Sequence, residues 1–469
     1  MDFLENSNKL SKKKIAIIND DGLKISYFQL DEFSKQLKTK IPSRSVIFSL
    51  NKNTLGSIVG YYSFIKNKVV PFMLEAKMDK SLLDNLISSY NPQYIWLPTE
   101  ISSAYSKSSI ICSIFDYSLI KLDNNEKPKI HKDLALLLST SGSTGSPKYV
   151  KISYSNIKSN ASSIVKYLSL NEDERPITTL PMSYSFGLSI INSHFQVGAT
   201  LLLTNFSMFE KEFWAFLKNE KATSLSGVPY TFEMLKKLRF TRMSLPHLKT
   251  LTQAGGKMNI DLNKDFAEFC KENKKYFFVM YGQTEATARM SYLPYENSLS
   301  KLGSIGIAIP DGKFSLRNKS GENIEQSDIV GELVYEGLNV SMGYVNCLND
   351  LATNDENNGK LYTGDLAKRD IDGFYYIVGR KKRFLKIFGN RINLDETESL
   401  LKGIVDECAC LGNDDQIIIY LTDDNKTDLV RDYVSSKIGL HHSAFLIKLI
   451  KSIPKNSSGK TIYSDIKIV

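Results

Sequence analysis

The stretch LLLSTSGSTGSPKYVKIS, residues 136–153, decides how the rest of the chain is interpreted. An apolar run gives way to a run of Ser, Thr and Gly, and then to an alternating basic segment. Glycines let the backbone approach a ligand closely, so that successive N–H groups, hydroxyls and a lysine can bind one anion. A flexible linker has a similar composition. The position between two core-strand patterns favours a phosphate-binding loop over a linker.

The same stretch is not a Walker A loop. That motif is G-x-x-x-x-G-K-[ST], whereas here Gly145 is followed by Ser-Pro-Lys. The segment SSGKT at 457–461 is similar to the end of the motif, but Pro454 stands where the first glycine is required. We therefore exclude a P-loop NTPase.

The composition points to a globular protein with a small anionic ligand. A chain of 469 residues, 42% hydrophobic and 24% charged, is long enough for two or three domains. The net charge is +9, but the lysines are spread along the chain instead of being gathered in a nucleic-acid-binding motif. We therefore expect no nucleic-acid partner.

The sequence also bears on the compartment. The N-terminal segment MDFLENSNKLSKKK lacks the apolar centre of a signal peptide, and apolar runs such as 186–191 fall far short of the roughly 20 residues that span a bilayer. The five cysteines form no C-x-x-C pair, which argues against a zinc site or a disulfide framework. We predict a cytoplasmic protein with reduced thiols and no membrane insertion.

Hydrophobic patterns predict the fold class. Before residue 130, short apolar runs such as KIAIIN at 14–19 and YIWLP at 94–98 alternate with helical patterns such as SYFQLDEFSKQLKTKI at 26–41. This alternation continues beyond residue 150 and predicts an α/β fold with mixed, mainly parallel sheets. From about residue 300, runs punctuated by Gly and Asp, such as GELVYEG at 331–337, predict antiparallel β structure. The last 85 residues or so predict a small α+β unit.

We place a domain boundary at the basic segment around Lys382. The prediction is a large N-terminal domain over 1–381, with a β-rich subdomain at about 300–380, and a small C-terminal domain over 383–469.

The segment STSGSTGSPK at 139–148 closely resembles the phosphate-binding signature T-S-G-[ST]-T-G-x-P-K of the ANL superfamily of adenylate-forming enzymes. This superfamily includes acyl-CoA synthetases, adenylation domains of peptide synthetases, and luciferases. Further segments resemble other signatures of the family, in the family's order: QAGGKM (253–258), YGQTEAT (281–287), GELVYEGLNVSMGY (331–344), YTGDLA (362–367), GFYYIVGRKKRFLKIFGNRI (373–392) and PKNSSGK (454–460). The resemblance covers residues 135–460.

The resemblance implies a reaction in two halves. A small carboxylic acid attacks the α-phosphate of Mg-ATP, giving acyl-AMP and pyrophosphate. A thiol, either that of CoA or the phosphopantetheine of an acyl carrier protein, then attacks the acyl group and releases AMP. Both halves involve extra negative charge, so positioning and electrostatic stabilisation are expected to dominate catalysis.

The resemblance also implies an ATP site. Thr284 would bind the α-phosphate and Glu285 would ligate Mg²⁺, for which an oxygen ligand is suitable. Tyr281 would lie against the adenine, with Gly255 and Gly256 leaving room for it, and Gly282 would belong to the same site. Asp365 would accept hydrogen bonds from both ribose hydroxyls, and Arg380 would lie near the same sugar. The phosphate-binding residues would be Thr140, Ser141, Gly142, Ser143, Thr144, Gly145 and Lys148.

The C-terminal region carries the remaining implied roles. Lys460 is similar to the adenylation lysine, which bridges the attacking carboxylate and the α-phosphate. Lys382 would be the hinge about which the small, mobile domain rotates between an adenylating and a thioester-forming pose. Gly389 would lie near the pantetheine tunnel. Its alternative role is that of a hairpin-turn glycine.

The acyl pocket departs from the common pattern. In PMSYSFGLSI at 181–190, Tyr184 stands where many acid ligases of the family have His. Gly187 follows Phe186 at the place where amino-acid-activating domains commonly have the Asp that pairs with the substrate amine. An α-amino acid is therefore disfavoured, and a small or medium aliphatic or aryl acid, or a hydroxy or branched acyl group, is preferred.

The function we infer from the sequence is an AMP-forming acid–thiol ligase. The alternatives are an adenylating enzyme that passes acyl-AMP to an amine or hydroxyl, an amino-acid-activating domain, and a non-catalytic nucleotide binder. The last is disfavoured because both Lys460 and Glu285 are present.

Overall fold

A computed structural model describes residues 12–105, 109–123, 128–140, 148–381, 383–387, 390–413, 416–456 and 459–466. The described residues fall into two compact units. Unit 1 contains the residues up to Thr140 together with 148–313 and 336–361. Unit 2 contains 314–335 and the residues from Tyr362 onward.

The strands in chain order are β1 (Ile15–Asn19), β2 (Lys24–Ser26), β3 (Val46–Asn51), β4 (Val70–Glu75), β5 (Tyr94–Pro98), β6 (Ser109–Ile114), β7 (Tyr117–Lys121), β8 (Leu134–Ser139), β9 (Tyr149–Ser153), β10 (Pro176–Ile177), β11 (Leu201–Leu203), β12 (Ser224–Gly227), β13 (Thr250–Gln253), β14 (Tyr276–Tyr281), β15 (Ser291–Leu293), β16 (Ile307–Ala308), β17 (Gly312–Arg317), β18 (Gly331–Gly337), β19 (Tyr344–Val345), β20 (Lys360–Arg369), β21 (Tyr375–Arg380), β22 (Phe384–Ile387), β23 (Asn390–Asn393), β24 (Cys408–Asn413), β25 (Gln416–Leu421) and β26 (Phe445–Leu449). The α-helices are α1 (Tyr27–Lys38), α2 (Leu55–Lys66), α3 (Lys80–Tyr90), α4 (Tyr154–Leu168), α5 (Ser185–Val197), α6 (Lys211–Asn219), α7 (Pro229–Lys237), α8 (Ile260–Glu272), α9 (Leu394–Leu401) and α10 (Thr427–Ile438).

Unit 1 is built on two mixed sheets. The nine-stranded sheet has the order β16-β15-β14-β13-β12-β10-β11-β1-β2. The run from β14 to β1 is parallel, and β15, β16 and β2 are antiparallel to their neighbours. The eight-stranded sheet, in the order β19-β9-β8-β4-β3-β5-β7-β6, has β8, β4, β3 and β5 parallel at its centre. The expectation of mixed, mainly parallel sheets with helices is confirmed.

Helices between the two sheets complete the core of unit 1. Side chains of both sheets and of α1, α2, α4 and α5 form one apolar cluster, in which Trp96, Tyr61 and Tyr62 are the largest buried members. Such close packing of large side chains is the main source of stability for a domain of this size. Helix α3 covers the other face of the eight-stranded sheet through Leu83 and Leu86.

Local sequence explains where helix α4 begins, just after strand β9. Ser153 is the last residue of β9 and caps α4 with a capping box: its hydroxyl accepts from the N–H of Asn156, and the Asn156 side chain accepts from the N–H of Ser153. The chain therefore passes directly from the strand after the loop into a helix.

Unit 2 contains the smaller sheets. Strands β17, β18, β20 and β21 form a four-stranded sheet in that order, with β20 and β21 antiparallel. The hairpin β22–β23 follows, and β24, β25 and β26 form a three-stranded sheet that packs with α9 and α10 around buried side chains such as Ile417 and Val430. The antiparallel pairing of β20 with β21 and the small α+β unit agree with the sequence pattern, whereas the boundary at Lys382 stays a prediction because that residue lies outside the described residues.

Candidate functional site

The two ends of the predicted phosphate-binding segment lie at neighbouring points of one sheet. Strands β8 and β9 pair antiparallel up to Ser139 and Tyr149, and the N–H of Thr140 donates to the carbonyl of Lys148 over 2.8 Å. The five predicted phosphate-binding residues from Ser141 to Gly145 lie outside the described residues. The exposed ammonium of Lys148 lies 5.5 Å from the ring centroid of Tyr344, within the range of a cation–π contact.

Parallel strands bring the next two motifs together. Strands β13 and β14 are parallel neighbours, so their carboxyl ends, at Gln253 and Tyr281, lie at one edge of the nine-stranded sheet. This edge is the usual place for a ligand in an open α/β sheet. The motif glycines follow it: Gly255 and Gly256 after β13, and Gly282 after β14.

Gly282 is required by the path of the backbone. A Cβ atom at this position would lie 1.7 Å from the carbonyl oxygen of Ala288. Since no side chain can occupy that space, the turn that begins the short 3₁₀ helix Thr284–Ala286 can close only with glycine. The close approach thus gives Gly282 a structural role in addition to its predicted place in the ATP site.

The Thr284–Ala286 turn is held by the segment 338–341, which belongs to the predicted GELVYEGLNVSMGY motif. The N–H of Ser341 donates to the carbonyl of Glu285 over 2.9 Å, and the Asn339 amide donates to the carbonyl of Ala286 over 2.9 Å. The Thr287 hydroxyl donates to the carbonyl of Asn339 over 2.6 Å and holds Thr287 at φ +67°. A non-glycine residue in this left-handed region stores strain of the kind found at functional sites.

Helix α4 anchors the same segment. The side chain of Asn156 donates to the carbonyls of both Leu338 and Val340, each over 2.7 Å. Asn156 also belongs to the capping box after β9. Its side-chain amide therefore joins the end of β9 to the segment 338–341, which holds the turn that carries Glu285.

Tyr344 lies between two charged residues that the sequence assigned to the ATP site, Glu285 and Lys148. Its hydroxyl donates to Oε1 of Glu285 over 2.7 Å, while its ring faces Lys148. Burial, and then the adjacent Glu285 charge, raise the pKa of Tyr344, so the phenol stays a donor at neutral pH. The neighbouring Thr284 hydroxyl lies 3.2 Å from the Ser185 hydroxyl at the start of α5.

The glycine segment after β13 lies against the predicted acyl pocket. Gly255 has φ +87°, and a Cβ there would lie 2.7 Å from the hydroxyl of Tyr184. Gly256 is exposed, and Tyr281 is half-buried with its hydroxyl accepting from the Gln283 amide over 3.1 Å. The structure therefore places Tyr184 directly beside Gly255.

The predicted acyl-pocket residues Tyr184, Phe186 and Gly187 lie at the start of helix α5. Tyr184 is the residue before its first turn, and burial raises the pKa of its hydroxyl to about 12. Phe186 is 4% exposed, and a Cβ on Gly187 would lie 2.2 Å from the carbonyl oxygen of Pro181. There is no room for a side chain at Gly187. An Asp that binds a substrate amine therefore cannot occupy this position.

A buried arginine lies in the same region. Arg289 is 2% exposed and its guanidinium carbon lies 5.1 Å from the ring centroid of Phe186. Its Nε donates to the Ser189 hydroxyl of α5 over 3.1 Å. A small cavity of about 10 Å³, lined in part by Ser189, Ser185 and Asn192, lies beside α5. That volume suits about one water molecule and is too small for a substrate acid.

In unit 2, the two predicted ribose-binding residues face each other across a strand pair. Asp365 of β20 is opposite Arg380 of β21, and Nε of Arg380 donates to Oδ1 of Asp365 over 3.1 Å. The Asp365 side chain is 4% exposed and that of Arg380 58% exposed. Buried carboxylates require such a partner, and the exposed guanidinium leaves the pair accessible on one side.

The predicted adenylation lysine lies in a turn near the C-terminus. The N–H of Lys460 donates to the Asn456 side chain, and the N–H of Asn456 donates to the carbonyl of Lys460, each over 2.9 Å. Gly459 closes the turn at φ +74°. Lys382 and Gly389, the predicted hinge and tunnel residues, lie outside the described residues.

Comparison with known proteins identifies the family. The sequence model of the family described as AMP-binding enzyme matches residues 4–345 of this chain. The chain belongs to the AMP-binding enzyme family. The resemblance to the ANL superfamily is thereby confirmed.

Individual relatives of this AMP-binding enzyme family member are moderately similar. A probable 4-coumarate–CoA ligase 2 of Dictyostelium discoideum is 28% identical over an alignment 378 residues long, which covers 75% of this chain and 65% of the relative. A 2-succinylbenzoate–CoA ligase of Bacillus licheniformis is 28% identical over an alignment 339 residues long, which covers 70% of this chain and 68% of the relative. The chain thus spans about two thirds of the length of these relatives.

Solved structures share the fold. The O-succinylbenzoate coenzyme A synthetase (MenE) of Bacillus subtilis, in complex with AMP, superposes with a TM-score of 0.80 at 22% identity, covering 100% of this chain and 98% of that one. ATP-bound MatB of Rhodopseudomonas palustris gives a TM-score of 0.80 at 19% identity, covering 99% and 100%. These likenesses confirm the predicted fold class.

The donor set of unit 1 fits a magnesium-bound nucleotide. A half-exposed carboxylate at Glu285 is a suitable ligand for Mg²⁺, and the hydroxyl of Thr284 and the ammonium of Lys148 are suitable donors to phosphate. In the described part of the chain, no group of three or more His, Cys, Asp and Glu side chains is placed to form a cage for a metal. A metal at Glu285 would therefore take most of its ligands from phosphate and water, as Mg²⁺ commonly does.

Several residues of the site went unpredicted from the sequence. Tyr344 and Asn339 lie in a quoted motif, but a single sequence gives no sign of their contacts with the Glu285 turn. Ser185 lies within the quoted segment 181–190 and Arg289 just after the quoted segment 281–287, but no signature assigned a role to either residue. Separately, among the helices described none is long and apolar enough to cross a bilayer.

Proposed function

We propose that this AMP-binding enzyme family member is an AMP-forming acid–thiol ligase that acts in the cytoplasm. The observation that carries the proposal is the Tyr344 side chain, which donates to Glu285 and faces Lys148. A cation and a carboxylate presented side by side suit a ligand that contains both phosphate and a divalent cation. The names of the relatives, which are acid–CoA ligases, support the same reaction class.

The first half-reaction would join a carboxylic acid to AMP. A carboxylate oxygen attacks the α-phosphorus of ATP, the bond to the β-phosphate breaks, and pyrophosphate leaves. Bound Mg²⁺ would supply charge neutralisation on the phosphates. Lys148 would hold the β- and γ-phosphates, Thr284 would donate to the α-phosphate, and Lys460 would stabilise the charge that develops between the carboxylate and the α-phosphate.

The residues of unit 2 would bind the nucleoside. The Asp365 carboxylate can accept from both ribose hydroxyls, and Arg380 keeps that carboxylate oriented through its 3.1 Å hydrogen bond. A carboxylate that is held in one direction before the ligand arrives loses little conformational freedom on binding.

The second half-reaction would transfer the acyl group to a thiol. The thiolate attacks the carbonyl carbon of acyl-AMP, a thioester forms, and AMP leaves with its phosphate intact. CoA is the acceptor we favour, since the relatives are CoA ligases, and the phosphopantetheine of an acyl carrier protein is the second acceptor to be tried.

The adenylation step tests the proposal. Lys460→Ala should lower acid-dependent ATP–pyrophosphate exchange by about 100-fold or more, because a buried developing charge loses its main cation. Thiolysis of supplied acyl-AMP should remain within about threefold of wild type. The exposed Lys451→Ala is the matched control. Unchanged exchange in Lys460→Ala would falsify the assignment.

The predicted hinge has its own test. Lys382→Pro should leave pyrophosphate release intact and abolish thioester formation, because proline fixes φ and a rotating joint needs that freedom. Lys382→Ala, which removes the charge alone, should support both half-reactions. Equal loss of both steps in the proline variant argues against a rotating domain. Transfer of acyl-AMP to hydroxylamine but to neither thiol would instead indicate an amine or hydroxyl acceptor.

A further inference from the structure

Arg289 is a fully buried arginine beside the predicted acyl pocket. It is 2% exposed, and its guanidinium lies over the ring of Phe186 at 5.1 Å. Its Nε donates to Ser189 over 3.1 Å, and its Nη1 donates to the Tyr167 hydroxyl over 2.9 Å. The Nη1 atom also lies 3.4 Å from the sulfur of Met280.

These contacts leave part of the guanidinium without a partner. An arginine side chain carries five N–H donors in a planar fork. Nε and Nη1 have acceptors, whereas Nη2 has none in the stretches of chain that the structure describes. Nη2 can therefore donate a hydrogen bond to an incoming carboxylate, while Nη1 stays bonded to the protein.

No negative charge in the described part of the chain compensates Arg289. No carboxylate there lies within ion-pair distance of it. The titratable groups around it are neutral at pH 7: burial raises the pKa of Tyr167, of Tyr184 and of Tyr292, and burial lowers the pKa of His194 to about 4. A buried cation without a counter-charge is unfavourable unless a ligand supplies one.

The guanidinium is also held in place. The backbone carbonyl of Arg289 accepts from the side-chain amides of Asn160 over 2.8 Å and Asn339 over 3.2 Å. Its partner Tyr167 is stacked on Tyr292 with the ring centroids 4.3 Å apart. Because both the backbone and the guanidinium of Arg289 are fixed by hydrogen bonds, little conformational freedom is lost when a ligand binds to it.

The position of Arg289 indicates which ligand it meets. Phe186 lies beneath the guanidinium and contacts Tyr184, whose hydroxyl lies beside Gly255. In the chain, Arg289 follows Glu285 by four residues, so the carboxylate that would ligate magnesium and the buried cation are carried by one short segment. An acid whose first carboxylate is activated at Thr284 would extend its other end toward this region.

We propose that Arg289 binds a second carboxylate of the acid substrate, so that the preferred substrates are dicarboxylic acids. This inference rests on the proposed function. One carboxylate is activated by ATP, and the other accepts a charge-assisted hydrogen bond from Nη2 of the guanidinium. Arg289 is then a specificity residue that takes no part in the bond-making step.

The test compares matched acids with the full-length protein. Pyrophosphate release is measured with pairs of monocarboxylic and dicarboxylic acids of the same length, such as butanoate and succinate, and benzoate and phthalate. We expect wild type to prefer a dicarboxylic acid by about 30-fold or more in kcat/KM, because a built polar site rejects an analogue that leaves it unpaired. Arg289→Met should remove that preference without changing the KM for ATP, and Arg289→Lys should restore part of it.

The control and the opposing outcomes separate this inference from the proposed function. Arg242→Met, at an exposed site, should leave the preference unchanged. Pyrophosphate release with monocarboxylic acids that is equal to or better than that with their dicarboxylic partners overturns the inference and leaves the ligase proposal standing. If none of the acids supports pyrophosphate release, both the inference about Arg289 and the ligase proposal are overturned. If Arg289→Met does not fold, the wild-type preference within each pair decides alone.

Discussion

His194 should make the stability of unit 1 sensitive to mild acid. It lies in α5, the helix that begins beside Tyr184, and is 3% exposed. Its Nδ1–H donates to the carbonyl of Ile190 over 2.8 Å, which places the proton on Nδ1 and leaves Nε2 without a partner in the described residues. Protonation would add an unpaired N–H and a second cation near Arg289.

The sign and size of the effect follow from the pKa. Burial lowers the pKa of His194 from its ordinary 6.5 to about 4, against a raising effect of the Ile190 hydrogen bond and with a further lowering by Arg289. Between pH 6.5 and 4, His194 is therefore protonated in the unfolded chain but stays neutral in the folded chain. The stability is fully present above pH 6.5 and is lost as the pH falls toward 4. At pH 5 the loss is about 2 kcal/mol.

Urea unfolding at pH 7 and pH 5, followed by tryptophan fluorescence, measures this loss. The chain has two tryptophans, Trp96 and Trp214, and both lie in unit 1 with His194. His194→Asn can keep a donor near the position of Nδ1 and removes the titrating ring. The unfolding free energy of wild type should fall between the two pH values by about 2 kcal/mol more than that of the variant.

The exposed His247→Asn serves as the control and should behave as wild type. In parallel, the ring ¹³C signal that is lost in His194→Asn should keep its neutral-form shift in wild type until about pH 4. A titration of that signal near pH 6.5, or equal pH dependence in wild type and His194→Asn, refutes the reasoning.

Two further predictions concern the Glu285 turn. Gly282→Ala places a methyl group 1.7 Å from a backbone oxygen, so thermal unfolding should show a loss of about 1–3 kcal/mol and ATP–pyrophosphate exchange should drop, whereas Gly403→Ala, with nothing within 4 Å, should be nearly neutral. Tyr344→Phe removes the hydrogen bond to a half-exposed carboxylate, worth about 1 kcal/mol, and keeps the ring over Lys148. Pyrophosphate-release kinetics should then show kcat/KM for Mg-ATP reduced by about fivefold; an unchanged value contradicts the positioning role of the phenol.

Continuous motifs and regular periodicity were predictable from the sequence. Helix α1 was expected within 26–41 and observed at Tyr27–Lys38, because its apolar positions recur on one face and Ser26 caps its start. Helix α2 has no such pattern: every residue from Leu55 to Ile65 is buried, so no polar face marks the helical period.

The supports of the site were not predictable, because they depend on contacts between distant parts of the chain. Tyr344 meets Glu285 across 59 residues, and Asn156 meets Val340 across 184. A single sequence records which residues are present but not which of them fold together. Arg289 is the clearest case, since an arginine is exposed in most proteins and only the packing of Tyr167, Phe186 and Met280 around it shows that this one is buried.

The phenol between Lys148 and Glu285 also gives the proposed nucleotide site a polarity. In the part of the chain that the structure describes, Lys148 forms no ion pair with a carboxylate, so the two opposite charges are kept apart instead of cancelling each other. Charges held apart in this way form an electric dipole with a definite direction. A polyphosphate with its cation is attracted when its anionic end approaches the ammonium and is repelled when it approaches the carboxylate. In the ATP site that we propose, Tyr344 would therefore act as a spacer that favours one direction of nucleotide entry.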